Sequence, residues 1–198
     1  MEFHMLSDGQ QQVGKFISVG REVIEHIDYI HIREKHRPAR ELVDWIEQLV
    51  ENGIPLSKIV VNDRVDVAYA LGVAGVHLTE KSLCPHTVKY AFPNLRIGKS
   101  VHSVLGAMTA EREGADYVFF GHIFETPSKR NVAPKGINML EEVCQHVSIP
   151  VIAIGGVKPQ HVKQIQRTGA QGMAVLSPFW HEKDPETLAA SYRKETVL

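Results

Sequence analysis

The sequence has few cysteines and no long apolar run. Its 198 residues include two cysteines, Cys84 and Cys144, which stand far apart without CxxC spacing. A chain of this length builds a core without a disulfide scaffold, so we expect two free thiols in a reducing compartment. No apolar run approaches the ~18 residues of a membrane span, and the first residues lack the pattern of a secretion signal. These absences predict a cytoplasmic protein that does not enter a membrane.

Net charge is also nearly absent. Lys and Arg total 22 against 23 Asp and Glu, which leaves a formal charge of -1. Such a balance offers no general attraction to nucleic acid or to an anionic membrane, so any anion is expected to bind through local groups. The GxGxxG, Walker and GxSxG signatures are missing too, which argues against nucleotide-binding and serine-hydrolase chemistry.

Short β-rich apolar runs alternate with helical stretches along the whole chain. Several runs, such as VIAIGG and YVFFG, are apolar on both faces, as buried parallel strands are. The eight runs are Phe3–Ser7, Tyr29–Arg33, Ile59–Asn62, Gly75–Leu78, Arg96–Val101, Asp116–Gly121, Val151–Gly155 and Gly172–Ser177. They predict an α/β protein, a (β/α)8 TIM barrel that spans residues 1–198 as a single domain. An open doubly wound sheet is the alternative, although the first run lacks its usual Gly-rich turn.

The segments between the runs are mostly helical in periodicity, most clearly at Ala39–Glu51 and Pro159–Thr168. One connection departs from this pattern. The stretch from His122 to Lys135 contains two prolines and no apolar periodicity, which predicts a long loop after the sixth strand. Long loops at this face of a barrel are often functional, and a merely flexible insertion is the alternative.

The turns after the last two strands predict a phosphate site. In this fold the strand ends converge on one mouth, and glycine-rich turns after strands seven and eight expose backbone N–H groups to a phosphate. Gly155 and Gly156 follow the seventh run, and Leu176 and Ser177 end the eighth. The alternative is a tight turn that needs glycine only for its backbone conformation.

The end of the second strand carries cationic side chains. Arg33 and Lys35 alternate there, so at least one of them should point into the mouth. An arginine binds carboxylate or phosphate in bidentate fashion. The alternative is an ion pair with Glu34 or Glu41 at the rim.

A histidine directly follows the sixth strand. His122 comes after YVFFG, which predicts a position at the rim of an apolar cavity, where an imidazole titrates near neutrality and serves general acid/base catalysis. A purely structural histidine is the alternative. His102 is a second candidate, although its segment could equally cap the helix that starts near Ser103. Glu125 is a third, weaker one.

Metal chemistry has little support in the sequence. A Mg²⁺–diphosphate site needs two or more converging carboxylates, and the strand ends offer only Asp63 as an obvious one. The histidines lack metal-ligand spacing such as HxxxH. We therefore expect no metal and no cofactor.

Five motifs together resemble the thiamine-phosphate synthase superfamily over nearly the whole chain. They read HIREK, VNDRVDVAYALGVAGVHL, IGKSVHS, GADYVFFGHIFETPSK, and IPVIAIGGVKP followed by AVLSPF. The synthases couple a pyrimidine diphosphate to a thiazole phosphate, with Mg²⁺ held by the Asp of NDR and by a second Asp. Asp63 keeps the first of these ligands, whereas Ser82 stands at the second. Losing one of so few carboxylates would weaken a Mg²⁺ site.

Within that superfamily the GHIFET stretch resembles the thiazole tautomerase branch, the TenI type, because synthases typically have Pro where this chain has His122. This resemblance implies an isomerase of thiamin biosynthesis, which aromatises a phosphorylated thiazole carboxylate by metal-free proton transfer. It implies that His122 is the catalytic acid/base, that Arg33 faces the carboxylate, and that Gly155, Gly156, Leu176 and Ser177 hold the phosphate. Further candidate substrate-binding residues are Lys35, Asn62, His102, Thr126, Ser128 and Lys129. A Mg²⁺-dependent synthase and a non-catalytic phosphate-ligand sensor are the alternatives, and homo-oligomerisation is left open.

Overall fold

A computed structural model of the chain describes residues 1–129 and 132–196, and it confirms the predicted (β/α)8 barrel. Eight parallel strands pair in chain order and close, since β8 pairs with β1. The strands are β1 Glu2–Leu6, β2 Tyr29–Ile32, β3 Ile59–Asn62, β4 Gly75–Leu78, β5 Ile97–Val101, β6 Tyr117–Gly121, β7 Val151–Ile154 and β8 Gly172–Val175. The alternative of an open sheet is wrong, because the strand order never reverses.

Helices follow the strands and cover the outside of the barrel. They are α1 Val13–Val23, α2 Ala39–Glu51, α3 Val65–Leu71, α4 Pro85–Ala91, α5 Val104–Arg112, α6 Gly136–His146, α7 Val162–Arg167, α8 Pro178–His181 and α9 Pro185–Glu195. The helix predicted at Ala39–Glu51 is confirmed with the same bounds. The one predicted at Pro159–Thr168 begins as a 3-10 turn at Pro159–His161 and continues as α7. Among the helices so described, none is long and apolar enough to cross a membrane.

Four strands end earlier than predicted, at their carboxyl ends, and the first of them ends at Leu6 instead of Ser7. The second ends at Ile32, where the N–H of Arg33 donates to the Ser7 hydroxyl at 2.8 Å. The seventh ends at Ile154, because Gly155 has a φ of 96° and leaves the extended region. The eighth ends at Val175 instead of Ser177. The residues after these strands therefore belong to the loops that form the mouth.

The loop predicted at His122–Lys135 is present in its described part, with one addition. A 3-10 turn covers Pro127–Lys129. Residues 130 and 131 of this stretch lie outside the described residues. The N–H of Lys135 donates to the carbonyl of His122 at 2.8 Å, so the two ends of the loop are joined.

Apolar side chains pack on both faces of the sheet. Between sheet and helices, Phe16 stacks on Trp180 at 5.2 Å between ring centroids. Inside the barrel, Leu6, Tyr117, Phe119, Ile152 and Ala174 pack together. Tyr117 fits there because its neighbour on β5 is Gly98, where an added Cβ would overlap the tyrosine ring. The two cysteines are free thiols, as expected.

Candidate active site

A cavity of about 400 Å³ opens at the carboxyl ends of the strands. Most of the residues predicted for the site contribute to its wall. These are Arg33, Asn62, His102, His122, Thr126, Ser128, Lys129, Gly155, Gly156, Leu176 and Ser177. Lys35 is exposed and does not line the cavity, since β2 ends at Ile32 and a turn follows. The mouth predicted from the strand ends is therefore a single cavity.

Arg33 lines this cavity without a carboxylate partner in the part of the chain that the structure describes. The predicted alternative, a pair with Glu34 or Glu41, is not formed. Both carboxylates bind Arg37 instead, each at 3.1 Å. The pKa of Lys35 is lowered, first by the nearby charge of Arg33 and then by burial and Lys81. The rim on this side is therefore strongly cationic.

The turn after β7 needs glycine at two successive positions. Gly155 and Gly156 have φ values of 96° and 67°, and a Cβ on Gly155 would overlap the side chain of His122. A Cβ on Gly156 would overlap backbone carbonyls of Phe124 and Glu125. The backbone N–H groups of Gly156 and Ser177 donate no hydrogen bond among the described residues. Free donors of this kind fit an anion at the cavity wall.

His122 is nearly buried, with 5% of its surface exposed, and it lines the cavity. Its Nε2 donates to the carbonyl oxygen of Val132 at 3.1 Å. Its Nδ1 makes no hydrogen bond among the described residues. His122 lies beside the glycine turn, because its Cβ is the atom that a Cβ on Gly155 would overlap.

His102 is held by a different carbonyl. Its Nδ1 donates to the oxygen of Gly121 at 2.9 Å. The alternative that its segment caps a helix is true of the next residue, because Ser103 accepts a hydrogen bond from the N–H of Gly106 at 3.0 Å. His102 itself is free to line the cavity.

The sequence analysis missed two polar groups in the floor of the cavity, His77 on β4 and Ser100 on β5. His77 Nε2 lies 2.9 Å from the Ser100 hydroxyl, and its Nδ1 lies 3.3 Å from the hydroxyl of Tyr117. Burial lowers the pKa of His77 to about 3, so the ring is neutral at ordinary pH. The signal was alternation along β4, which puts Gly75, His77 and Thr79 on the inner face.

Below this floor, a second set of histidines fills the barrel. His4 Nε2 donates to Glu2 at 3.0 Å, and His31 Nε2 donates to His4 Nδ1 at 2.9 Å. Burial lowers the pKa of both histidines, which keeps them neutral. His31 Nδ1 has no partner among the described residues. This chain of rings is joined to the base of the barrel and makes no hydrogen bond to His77.

The family model for thiamine monophosphate synthase matches residues 4–179. The chain belongs to this family. A thiamine-phosphate synthase of Chloroflexus aurantiacus is 38% identical over 169 residues, which cover 83% of this chain and 77% of the relative. One of Pyrococcus furiosus is 36% identical over 174 residues, covering 85% and 83%. The solved thiamine phosphate pyrophosphorylase from Pyrococcus furiosus superposes with a TM-score of 0.82 at 32% identity, covering 98% of this chain and 94% of that one.

These relatives correct the prediction of an isomerase. They are named as synthases, which are transferases, and they are similar over most of this chain. The prediction gave weight to one residue, His122 in place of Pro, and to a metal site that had lost one ligand. A single wall residue does not decide the reaction of a site whose remaining motifs the two branches share.

The magnesium site that the family resemblance implies does not fit the residues present. Asp63 is exposed and does not line the cavity. The hydroxyl of Ser82 accepts a hydrogen bond from the N–H of Thr79 at 2.7 Å, which ties it into its own turn. Within residues 1–129 and 132–196, no three His, Cys, Asp or Glu side chains form a group that could hold a metal. Mg²⁺ takes its protein ligands chiefly from carboxylates, and they do not converge here.

Proposed function

We propose that this chain is a transferase of the thiamine-phosphate synthase type, which binds a thiazole phosphate in the barrel mouth and joins it to a pyrimidine diphosphate. The family supports the reaction class. The observation that carries the proposal for this site is that Gly156 and Ser177, whose N–H groups donate no hydrogen bond among the described residues, line a cavity that Arg33 also lines. Such a wall suits phosphate esters.

The phosphate end of the thiazole is assigned to the turns after β7 and β8. Gly155 and Gly156 leave no side chain between the backbone and a ligand, and Leu176 and Ser177 complete the cradle. A short extra helix, α8, begins directly after Ser177, which is the arrangement found at many phosphate sites of this fold. Lys158, which the sequence analysis missed, adds a cation to the same wall.

The other side of the cavity is assigned to the rings and to the diphosphate. Arg33 supplies an unpaired cation for the diphosphate, and Asn62, which is 8% exposed, has a side-chain oxygen without a partner among the described residues. Thr126, Ser128 and Lys129 of the loop after β6 close the wall above them. His102 and His122 contact the bound rings in this proposal.

The test is formation of thiamine phosphate from the two substrates. The purified chain, MgCl₂ and both substrates are incubated, and product is measured by fluorescence after oxidation, with diphosphate release as a second readout. We expect equal amounts of both products and loss of activity in Arg33→Ala, whereas Arg40→Ala on the outer face of α2 keeps full activity. Conversion of a thiazole phosphate without coupling, or no reaction at all, would overturn the proposal.

The absence of a carboxylate at the position of Ser82 supports a second candidate function, a phosphate-ligand sensor. A phosphate-ligand sensor needs the cradle and the cations but no group for turnover. Ser82 at the position of a metal-binding Asp favours it. Calorimetry that detects tight binding of thiamine phosphate by a chain without coupling activity would support the sensor over the transferase.

A further inference from the structure

Three side chains on neighbouring strands, two of them buried and one half-buried, form a row that ends at the cavity. Tyr117 on β6 contacts His77 on β4, and His77 contacts Ser100 on β5. Tyr117 and His77 are 1% and 2% exposed, whereas Ser100 reaches the cavity. The direction of the hydrogen bonds in this row decides what Ser100 offers to a ligand.

The hydroxyl of Tyr117 fixes that direction. Burial raises the pKa of Tyr117, so the phenol keeps its proton. The nitrogen of His77 is its one hydrogen-bond partner within residues 1–129 and 132–196. A buried hydroxyl that fails to donate costs about 1–3 kcal/mol. Tyr117 therefore donates to His77 Nδ1.

The imidazole passes this direction on. A neutral ring that accepts at Nδ1 carries its proton on Nε2. His77 Nε2–H then donates to the Ser100 oxygen, at 2.9 Å. The hydrogen of the Ser100 hydroxyl is left for the cavity, because a protonated Nε2 has no lone pair with which to accept it. In the opposite arrangement Ser100 would donate to His77, and the proton of Tyr117 would have no acceptor.

We propose that His77, oriented by Tyr117, is a positioning residue that turns the Ser100 hydroxyl into a hydrogen-bond donor toward an acceptor atom of the ligand. This rests on the proposed function for the identity of the ligand. The acceptor belongs to the part of the ligand away from the phosphate cradle, since Ser100 lies on β5 and the cradle follows β7 and β8.

The tautomer of His77 is measured first, in the ligand-free protein. Side-chain ¹⁵N NMR should show a protonated Nε2 and an unprotonated Nδ1. Tyr117→Phe should lose this preference, whereas Tyr29→Phe should keep it. Tyr29 is a matched control, a tyrosine against the same interior whose hydroxyl makes no hydrogen bond among the described residues. If the wild-type His77 ring is protonated at Nδ1, the proposed direction of the hydrogen bonds from Tyr117 to Ser100 is wrong, whatever reaction the protein catalyses.

Binding is measured second, by calorimetry with thiamine phosphate, the stable product of the proposed reaction. Ser100→Ala and His77→Phe should each weaken binding about fivefold, the value of one ordinary hydrogen bond. His77→Gln, whose amide can still donate to Ser100, should stay within about twofold of wild type. In the Ser100→Ala background, His77→Phe should have no further effect.

Inorganic phosphate distinguishes positioning from general damage to the site. Its affinity should be the same in wild type, Ser100→Ala and His77→Phe, because it needs only the cradle. An equal loss for phosphate and thiamine phosphate, or additive effects in the double variant, would overturn the positioning role. If thiamine phosphate does not bind the wild-type protein at all, the proposed function fails. The NMR measurement then decides by itself whether Tyr117 orients His77 toward Ser100.

Discussion

Gly155 lies so close to His122 that a Cβ added to the glycine would overlap the Cβ of the histidine. The loop after β6 is also bonded to this turn, because the N–H of Phe124 donates to the Gly155 carbonyl at 3.0 Å. The proposed phosphate cradle and the histidine wall are therefore parts of one packed unit. We therefore expect a substitution in the cradle to displace His122, and a substitution at His122 to displace the cradle.

Gly155→Ala should both destabilise the protein and weaken phosphate binding more than tenfold. The substitution adds a collision to the cost of a positive φ, which is about 1 kcal/mol. Gly53→Ala is the matched control, since Gly53 has a φ of 89° and open space around it. Urea unfolding and calorimetry with inorganic phosphate measure both effects. If the two variants behave alike, close packing at Gly155 has no role.

Arg37→Met should destabilise the protein by about 3 kcal/mol, because it leaves the buried carboxylate of Glu34 without its cation. The substitution also removes the guanidinium from the face of Trp45, where its carbon lies 4.2 Å from the ring centroid. Arg40→Met removes an exposed pair with Asp44 and should cost less than about 0.5 kcal/mol. Urea unfolding measures the loss of unfolding free energy in each variant. Equal losses in Arg37→Met and Arg40→Met would contradict the prediction.

Stability should fall as the pH drops from about 7 toward 5. Burial lowers the pKa of His4, His31 and His77 in the folded state, whereas each binds a proton near pH 6.5 once unfolded. The unfolded state then carries up to three extra protons, so unfolding is favoured below pH 6.5 and the native state is most stable above it. Carboxylates contribute little in this window.

The measurement is the free energy of unfolding in urea at pH 7.5, 6.5 and 5.5. His77→Gln should reduce the proton uptake on unfolding by about one, since glutamine does not titrate. A pH-independent stability in wild type would show that the interior histidines are solvated or charged in the native state.

Arg33→Gln should weaken binding of thiamine phosphate about tenfold, because it removes from the cavity wall a cation that has no carboxylate partner within residues 1–129 and 132–196. Lys35→Gln should have a smaller effect, about twofold, since Lys35 is exposed and acts across solvent. Calorimetry at low and high salt separates the two, because only the exposed charge should lose its effect in 0.5 M KCl. A larger loss of affinity in Lys35→Gln than in Arg33→Gln would mean that Lys35 moves into the mouth when the ligand binds.

The barrel and most of its mouth could be predicted because apolar runs and strand ends follow simple periodicity. Lys35 shows where that reasoning stops. Alternation put Arg33 and Lys35 on one side, but it holds only while the chain is extended, and β2 ends at Ile32. The positions of side chains beyond a strand depend on the turn that follows.

The histidines inside the barrel were missed for a different reason. His77 stands in GVHL, and a short run of this kind reads the same whether its polar residue faces the interior or the mouth. The pairing register that brings Tyr117 and Ser100 beside it exists only once β4, β5 and β6 have paired. Likewise, the carboxylates of Glu34 and Glu41 were available in the sequence as partners for Arg33, and only the turn at residues 35–36 gives both of them to Arg37.

The missing side chain at Gly98 has a consequence for how this barrel can vary. An alanine at that position would need the space of the Tyr117 ring, so it could be accommodated only together with a smaller residue on β6. Such a paired exchange would preserve the fold and abolish the phenol, leaving the imidazole of β4 free to choose either tautomer. Residue 98, which touches no ligand and titrates nothing, would then govern which atom of the neighbouring strand faces a substrate as a donor.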